Sequence, residues 1–258
     1  MIQQLLTELG LAIYGGLQEL GRLLMLGFQT LRALFERPIR PRTFIDQMEF
    51  IGVKSTFIVG LTSLFSGMVF ALQSSYAFRL FGAESLIGPT VALSLVRELG
   101  PVFTAIMVTA RAGAAMATEL GTMRVTEQVD ALYTMGINPV QYLVLPRIVA
   151  SVIMVPALAS IFSYIGFLGS YFVTTEIVGV GPNVFIRDVV DMLTFADIYK
   201  GLIKASVFGL LLSLISCDQG YNASGGARGV GIATTQAVVR SCITILVSDY
   251  FLTDWLYG

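Results

Sequence analysis

Two adjacent charged residues, Arg97 and Glu98, are the side chains best placed for chemistry, because they interrupt an otherwise apolar stretch. Ionisable groups within a membrane-spanning segment are rare, and most of them face a cavity or one another. Neighbours on a helix point about 100° apart, so these two cannot pair as residues four apart do. Gly100 and Pro101 follow and can open room beside them. Two interpretations stay open: a polar patch that contacts a charged headgroup in a substrate cavity, or an ion pair between helices.

The residue types that enzymes use most are missing from the sequence. The chain contains no histidine, which removes the commonest general base and the commonest metal ligand. It has neither a Gly-x-x-x-x-Gly-Lys-Ser/Thr phosphate loop nor a Gly-x-Ser-x-Gly elbow. Cys217 and Cys242 stand alone among apolar residues, which favours buried side chains over a disulfide. Asp191 and Asp197 are a conceivable carboxylate pair, but we place both in a polar loop. We expect no catalytic residue, no metal site and no cofactor bound by this chain.

The composition predicts an all-α integral membrane protein. Of the 258 residues 55% are hydrophobic and 13% charged, and the mean hydropathy is +0.78. A soluble domain has about 25% charged residues. The net charge is −1, and no basic cluster with interleaved aromatic residues is present, so we expect no nucleic-acid partner.

The apolar stretches predict about five transmembrane helices, since a span needs about 20 residues. We place them at residues 55–78, about 90–118, about 148–175 with a kink at Pro156, about 200–216 and about 237–256. The last contains three charged residues, Arg240, Asp249 and Asp254. The connections are an outer turn at 82–89, a polar outer segment at 176–199 with an amphipathic piece at 184–193, and a glycine-rich loop at 217–235. Five spans from a cytoplasmic N-terminus put the C-terminus outside.

Residues 1 to about 35 form an amphipathic pattern that fits a helix lying in the membrane interface. A helix packed on the protein's own core is the alternative, and the two are compatible. The apolar positions recur every three or four residues, at Leu6, Leu9, Ile13, Leu17, Leu20, Leu24, Phe28 and Leu31. The basic segment 37–42 follows and indicates a cytoplasmic N-terminus by the positive-inside rule. The start lacks the basic region of a signal peptide. We divide the single domain 1–258 into the interfacial helix with its basic elbow (1–45) and the transmembrane bundle (46–258).

A polar stretch between the second and third spans predicts a short cytoplasmic helix over about residues 121–133. It cannot cross a bilayer, since each charge would cost about 2.5–3.5 kcal/mol at the membrane centre. Its charged residues are Glu119, Arg124, Glu127 and Asp130. One apolar face is formed by Val125, Val129, Leu132 and Tyr133. We expect this face to dock on a soluble partner.

Three further polar residues lie within the spans, and two of them, Gln73 and Lys204, have two interpretations each. Gln73 lies among Phe70, Tyr76 and Phe78, where it lines a path for an amphiphile or makes a hydrogen bond between helices. Lys204 either extends to the membrane interface or faces a cavity. Arg111 precedes a run of small residues, which favours a role in helix packing.

Three stretches of the chain resemble the MlaE (YrbE) family of permeases, the membrane subunits of lipid-transport ABC systems in double-membrane bacteria. They are residues 93–101 with Arg-Glu-Leu-Gly-Pro, residues 110–113 with 119–132 that contain Thr-Glu-Gln, and residues 233–239. The resemblance covers nearly the whole chain.

The resemblance implies a homodimer in the bacterial inner membrane, bound to two cytoplasmic ABC ATPase subunits that hold ATP and magnesium. It also implies a periplasmic lipid-binding partner of the MCE type and a small STAS-like cytoplasmic protein. The polar helix would be the coupling helix, with contacts to the ATPase from Arg124, Val125, Glu127, Gln128, Val129, Leu132 and Tyr133. Phospholipid would lie between the two subunits, against Phe70, Gln73, Tyr76, Phe78, Arg97 and Glu98, to which we add Lys204.

The leading hypothesis is therefore a permease that moves phospholipid and maintains the lipid asymmetry of the outer membrane. A membrane-embedded lipid-modifying enzyme is the first alternative, and the missing nucleophile motifs argue against it. A passive channel or scaffold is the second, and it would not need an amphipathic cytoplasmic helix.

Overall fold

The computed structural model describes residues 2–35 and 41–258, with side chains from Tyr14 onward. The described chain folds into α-helices joined by short turns, which confirms the all-α prediction. The helices are α1 Ile2–Ala33, α2 Pro41–Ile51, α3 Thr56–Arg79, α4 Ile87–Ser94, α5 Gly100–Val108, α6 Ala114–Val125, α7 Gln128–Thr134, α8 Leu145–Phe172, α9 Pro182–Met192, α10 Phe195–Tyr221 and α11 Gly226–Tyr257. Segments of π-helix cover Leu95–Leu99, Thr109–Gly113, Val140–Val144 and Val173–Val178.

Five helical stretches of the described chain are long and apolar enough to cross a membrane, as the sequence predicts. They are Pro41–Arg79, Glu84–Val125, Val140–Val178, Phe195–Tyr221 and Gly226–Tyr257. Each is longer than the predicted span, because residues beyond the predicted ends stay helical. Within the second span, Arg111 donates to the Phe50 carbonyl at 2.9 Å and to the Ser55 hydroxyl at 3.0 Å, which joins it to the first span in agreement with its predicted packing role.

The predicted glycine-rich loop at 217–235 is wrong. Helix α10 continues to Tyr221 and α11 begins at Gly226, so residues 222–225 alone connect them. Asp218 stays in the helix although it is buried, because Gln219 and Asn222 both donate to its carboxylate. Gly225 makes the turn with φ +88°, which favours glycine. Residues 226–229 are thus the first turn of α11.

Helix α8 lies at the centre of the bundle, between α3 and α10. Small residues let the backbones approach closely, as is usual between membrane helices. A Cβ atom at Gly209 of α10 would lie 2.6 Å from the Ser151 carbonyl oxygen of α8. On the other side of α8, Gly67 of α3 faces Gly166, and Ser63 donates to the Phe162 carbonyl.

The N-terminal helix packs on the bundle along one side and leaves its apolar stripe exposed. Leu26, Thr30 and Ala33 are buried. Glu19 on the polar side pairs with Arg240 of α11 at 2.8 Å. Exposed apolar side chains are Leu17, Leu20, Leu24, Phe28 and Leu31. The helix therefore packs on the core and still has an apolar face to offer a membrane interface. The predictions for the side chains of Leu6, Leu9 and Ile13 and for residues 36–40 lie outside the described residues.

The polar segment 176–199 contains α9, as its amphipathic pattern predicts. Phe185 and Val189 are buried, and the Phe185 ring centroid lies 5.4 Å from those of Phe167 and Tyr171. These contacts pack α9 against α8 and α4. Asp197 does not lie in a loop, contrary to our prediction, but in the first turn of α10.

Candidate functional site

Arg97 and Glu98 lie in the π-helical segment Leu95–Leu99 and have separate partners, as their adjacent positions predict. The Arg97 guanidinium contacts the Asp197 carboxylate at 2.7 and 2.8 Å, while Glu98 accepts a hydrogen bond from Lys204. Both pairs join the second span to α10. Within one chain, both residues therefore form ion pairs between helices, as the second interpretation describes. Their backbone is π-helical, and π-helical turns are frequent at functional sites.

Lys204 is the centre of a buried charge cluster, which excludes the first of its two interpretations, extension to the membrane interface. Its side chain is 0% exposed, because three helices surround it. The ammonium group contacts Glu98, the Asp249 carboxylate at 2.7 Å and the Thr253 hydroxyl at 2.8 Å. We call these four residues the Lys204 cluster. Two carboxylates around one cation leave a formal charge of −1 at this point of the bundle.

Arg97 lies beside the cluster in a second charged group that is partly open to the surroundings. Asp197 is buried and also accepts hydrogen bonds from Thr194, in a capping box that begins α10. The Arg97 guanidinium lies 5.0 Å from the Tyr257 ring centroid, and Lys200 lies 4.8 Å from it. The Arg97 side chain is 39% exposed, so this cation remains accessible to an anionic group.

The first-span residues split into two sets. Phe70 and Phe78 are partly buried and pack against the core, whereas Gln73 and Tyr76 are exposed. Within the described part of the chain, Gln73 makes no hydrogen bond to another helix, and none joins it or Tyr76 to the Lys204 cluster. One chain alone therefore does not bring all the predicted lipid-contacting residues together.

Two small apolar cavities lie behind the π-helical segment that carries Arg97 and Glu98. They measure about 210 and 160 Å³, and Val96 and Ser163 line both. Ser163 of α8 donates to the Leu95 carbonyl at 3.2 Å. A side chain at Gly100 would collide there, since its Cβ would lie 2.6 Å from the Ser163 oxygen. Pro101 lines the smaller cavity, so the predicted room lies beside Pro101, whereas Gly100 packs closely against α8.

The polar stretch on the other side of the membrane is not one helix over 121–133, contrary to our prediction. Helix α6 ends at Val125, and α7 begins at Gln128. Glu127 between them has a left-handed backbone with φ +60°, which breaks the helical hydrogen-bond pattern. The Thr126 hydroxyl bonds back to the Thr122 carbonyl and satisfies one group at the end of α6.

The predicted apolar docking face of this stretch is largely turned into the protein. Val129 is 0% exposed and packs with Leu120 and Val144, so it is not available to a partner. Val125 and Leu132 are partly buried, and Tyr133 is 55% exposed. The surface offered to a partner is instead the polar side, which contains Glu127, Gln128, Asp130, Tyr133 and Thr134. Arg124 is partly exposed and pairs with Asp130 at 2.6 Å.

Comparison with known proteins assigns the family. The family described as Permease MlaE matches residues 44–255. The chain belongs to the MlaE permease family. A probable ABC transporter permease of Rickettsia felis is 44% identical over 93% of both chains. A probable ABC transporter permease of Synechocystis is 40% identical over 84% of this chain and 82% of its own length. The intermembrane phospholipid transport system permease protein MlaE of Haemophilus influenzae is 36% identical over 100% of this chain and 99% of its own.

Membership of the MlaE family indicates a multi-pass transport protein rather than an enzyme. The match begins near the start of α2, so α1 is the described helix that lies outside it. Within the match are both the Lys204 cluster and the turn between α6 and α7. These two regions are therefore the candidate functional sites of this MlaE-family chain.

Sequence reasoning missed several residues that complete these two places. Asp197, Asp249 and Thr253 are the partners of Arg97, Glu98 and Lys204. Two signals were present: Asp249 is a charge within an apolar span, and Thr194-x-x-Asp197 is a helix-capping pattern. On the other side of the membrane, Tyr221 at the end of α10 meets Tyr133 of α7, with 3.0 Å between hydroxyl oxygens. No local pattern points to that contact.

Proposed function

We propose that this MlaE-family chain is the permease subunit of an ABC transporter that moves phospholipid. The lipid would pass between the inner membrane and a periplasmic MCE-type lipid-binding protein, which maintains the lipid asymmetry of the outer membrane. The observation that carries the proposal is the similarity to the Haemophilus influenzae phospholipid transport permease over 100% of this chain and 99% of that one.

Two cytoplasmic ABC ATPase subunits would supply the energy, with ATP and magnesium held on those subunits. The permease sequence has no phosphate-binding loop of its own. The turn between α6 and α7 offers a polar surface that includes Glu127 and Gln128. This surface lies on the same side as the end of α1, since Arg32 and Tyr133 line one open cavity of about 480 Å³. With a cytoplasmic N-terminus, the α6–α7 turn faces the ATPase, and a STAS-like protein would bind to the ATPase.

The phospholipid would bind between two copies of the chain. In spans one and five, 28% of the most apolar 18-residue stretch is buried within the chain, against 44% in the other three spans. Spans one and five therefore have the most apolar surface left to cover. On span one that surface includes Gln73 and Tyr76. A second copy would close this side into an apolar cavity, with Phe70 and Phe78 behind its wall.

The charged groups would recognise the lipid headgroup. A phospholipid phosphate is an anion, and a guanidinium forms strong, charge-assisted hydrogen bonds to phosphate oxygens. Arg97 is the accessible cation, since it is 39% exposed while Lys204 is fully buried. Glu98, 35% exposed, would act with Lys204 as the electrostatic support of Arg97 rather than as a direct phosphate contact.

The ATPase contact gives the direct test of this proposal. Glu127→Lys reverses an exposed charge at the α6–α7 turn without touching the core. We expect it to reduce recovery of the ATPase with the purified permease by at least tenfold, because Glu127 lies on the proposed contact surface and a reversed charge there removes electrostatic complementarity with the partner. Glu176→Lys, an equal change at an exposed position after α8, is the matched control and should leave recovery unchanged. Failure of any ATPase to purify with the unaltered chain would overturn the proposal.

A further inference from the structure

Tyr221, the last residue of α10, is the point where three helices meet beneath the membrane-spanning bundle. Its hydroxyl lies 3.0 Å from that of Tyr133 in α7. The guanidinium of Arg124, near the end of α6, lies 6.0 Å from the Tyr221 ring centroid, and the same group pairs with Asp130 of α7 at 2.6 Å. Polar contacts from α6 and α7 thus converge on one side chain of α10.

Helix α7 depends on such contacts for its position. It has seven residues, which is too short for a helix that is stable alone. Val129 is buried and Leu132 packs against the same apolar cluster, and this fixes its depth. The Arg124–Asp130 pair joins the start of α7 to α6. The Tyr133 hydroxyl, near the other end of α7, joins it to α10 through its contact with Tyr221.

Helix α10 connects this contact to the Lys204 cluster without a break. Lys204 and Tyr221 belong to one continuous helix, and at 1.5 Å per residue they lie about 26 Å apart along its axis. The helix packs closely at both ends of that distance. A Cβ at Gly220 would lie 2.7 Å from the Ala117 carbonyl oxygen, and one at Gly209 would lie 2.6 Å from that of Ser151. Since α10 has no internal break, a displacement at one end is passed to the other.

We propose that Tyr221 is a positioning residue that locks α7 to α10, so that movement imposed on α7 reaches the Lys204 cluster through α10. The proposal rests on the proposed function, in which an ATPase moves α7. Loss of the hydroxyl contact would let α7 pivot without carrying α10. ATP hydrolysis would then continue while less lipid is moved for each ATP.

The first test uses the complete complex reconstituted in phospholipid vesicles, with lipid transfer and ATP hydrolysis measured together. Tyr221→Phe should lower the lipid transferred per ATP about threefold to tenfold, with hydrolysis kept within twofold, and Tyr133→Phe should lower the same ratio. The double variant should be no worse than either single one, because all three delete the same contact. Tyr164→Phe removes an exposed hydroxyl with no hydrogen bond in the described chain, and it is the control. An unchanged ratio in Tyr221→Phe, or single effects that multiply in the double variant, would overturn the proposal.

The second test needs no ATPase and separates this inference from the proposed function. Hydrogen exchange of the α7 amides in the purified permease should be about fivefold faster in Tyr221→Phe and Tyr133→Phe, since local opening loses one hydrogen bond. Exchange in Tyr164→Phe should match the unaltered chain. If the unaltered complex shows no ATP-dependent transfer, the proposed function fails, and exchange alone decides whether Tyr221 positions α7. Unchanged exchange in both variants refutes that role.

Discussion

Lys204 explains how this chain keeps several ionisable side chains within its membrane-spanning helices. A buried charge is tolerated when it is paired and hydrogen-bonded, and Lys204 contacts Glu98, Asp249 and Thr253. Arg97 is accommodated in the same way by Asp197. Since the two carboxylates outnumber the ammonium group, the Lys204 cluster keeps a negative charge close to the accessible Arg97. The Asp197 carboxylate holds the Arg97 guanidinium in place, and the 39% exposure of the Arg97 side chain leaves part of it open to an anion.

Removal of the central cation should destabilise the protein strongly. Lys204→Met leaves Glu98 and Asp249 uncompensated, and breaking a buried pair costs about 3–5 kcal/mol. Both carboxylates are partly exposed, so we expect the lower end, a fall of about 6–12 °C in the thermal unfolding midpoint. Lys54→Met, at an exposed lysine, should leave the midpoint within about 2 °C.

A second change distinguishes loss of charge balance from loss of packing. Adding Glu98→Gln to Lys204→Met removes one uncompensated carboxylate, so part of the lost midpoint should return. Thermal unfolding of the purified chain in detergent measures both variants. If the double variant is less stable than Lys204→Met, charge balance is not what Lys204 provides.

The charged residues themselves could be predicted from the sequence, but their partners could not. Arg97 and Glu98 stand out because apolar residues surround them. Their partners Asp197 and Lys204 lie 100 and 106 residues away, and periodicity carries no information on contacts at that separation. For Lys204 the sequence leaves two interpretations open, extension to the membrane interface from a helix end or a position facing a cavity. Two carboxylates on neighbouring helices hold it in the interior instead.

The helices could be predicted in number and type, whereas their ends were misplaced for physical reasons. Composition decides which stretches cross a membrane, and all five predicted spans are present in the described chain. Polar and glycine-rich residues at 217–235 predict a loop, yet in the structure they are buried side chains and close helix contacts. The opposite error occurred at Glu127, where a helical pattern is broken by one residue with a left-handed backbone.

Close packing of α10 on α8 should depend on the absence of a side chain at Gly209. Gly209→Ala places a Cβ 2.6 Å from the Ser151 carbonyl oxygen, so the helices must separate. We expect a loss of about 1–3 kcal/mol, seen as a lower thermal unfolding midpoint. Gly231→Ala is the matched control in α11, since nothing lies within 4 Å of its Cβ position. It should raise the midpoint slightly, because alanine favours a helix by about 1 kcal/mol. A lower midpoint for both variants would refute the packing argument.

A second copy of the chain would cover the apolar surface that one copy leaves exposed on α3. Exposed apolar side chains run along α3, among them Phe65 and Val69, and they continue at Tyr76. Large apolar faces in a membrane are covered by lipid or by another helix. The proposed cavity requires that the second copy covers the exposed face of α3. Gln73 would then lie at the wall of the cavity.

A photo-crosslinking amino acid placed on α3 tests that arrangement. At Val69, which is 61% exposed, it should yield covalent dimers of the chain in native membranes. At Tyr164 of α8, which is 66% exposed, it should yield lipid adducts and no dimer. Dimers formed only from the Tyr164 position would place the interface at α8 and contradict the proposed interface at α3. Lipid adducts alone at both positions would refute a homodimer through α3.

The central claim is that this chain converts ATP hydrolysis on a partner into movement of phospholipid. The most direct measurement reconstitutes the chain with its ATPase in vesicles and follows labelled phospholipid to a soluble lipid-binding acceptor, with and without ATP. We predict transfer that requires ATP, leaves the lipid chemically unchanged and falls at least tenfold in Glu127→Lys but not in Glu176→Lys. Equal transfer without ATP, as through a passive channel, or a chemically altered lipid, as from an enzyme, would contradict the account.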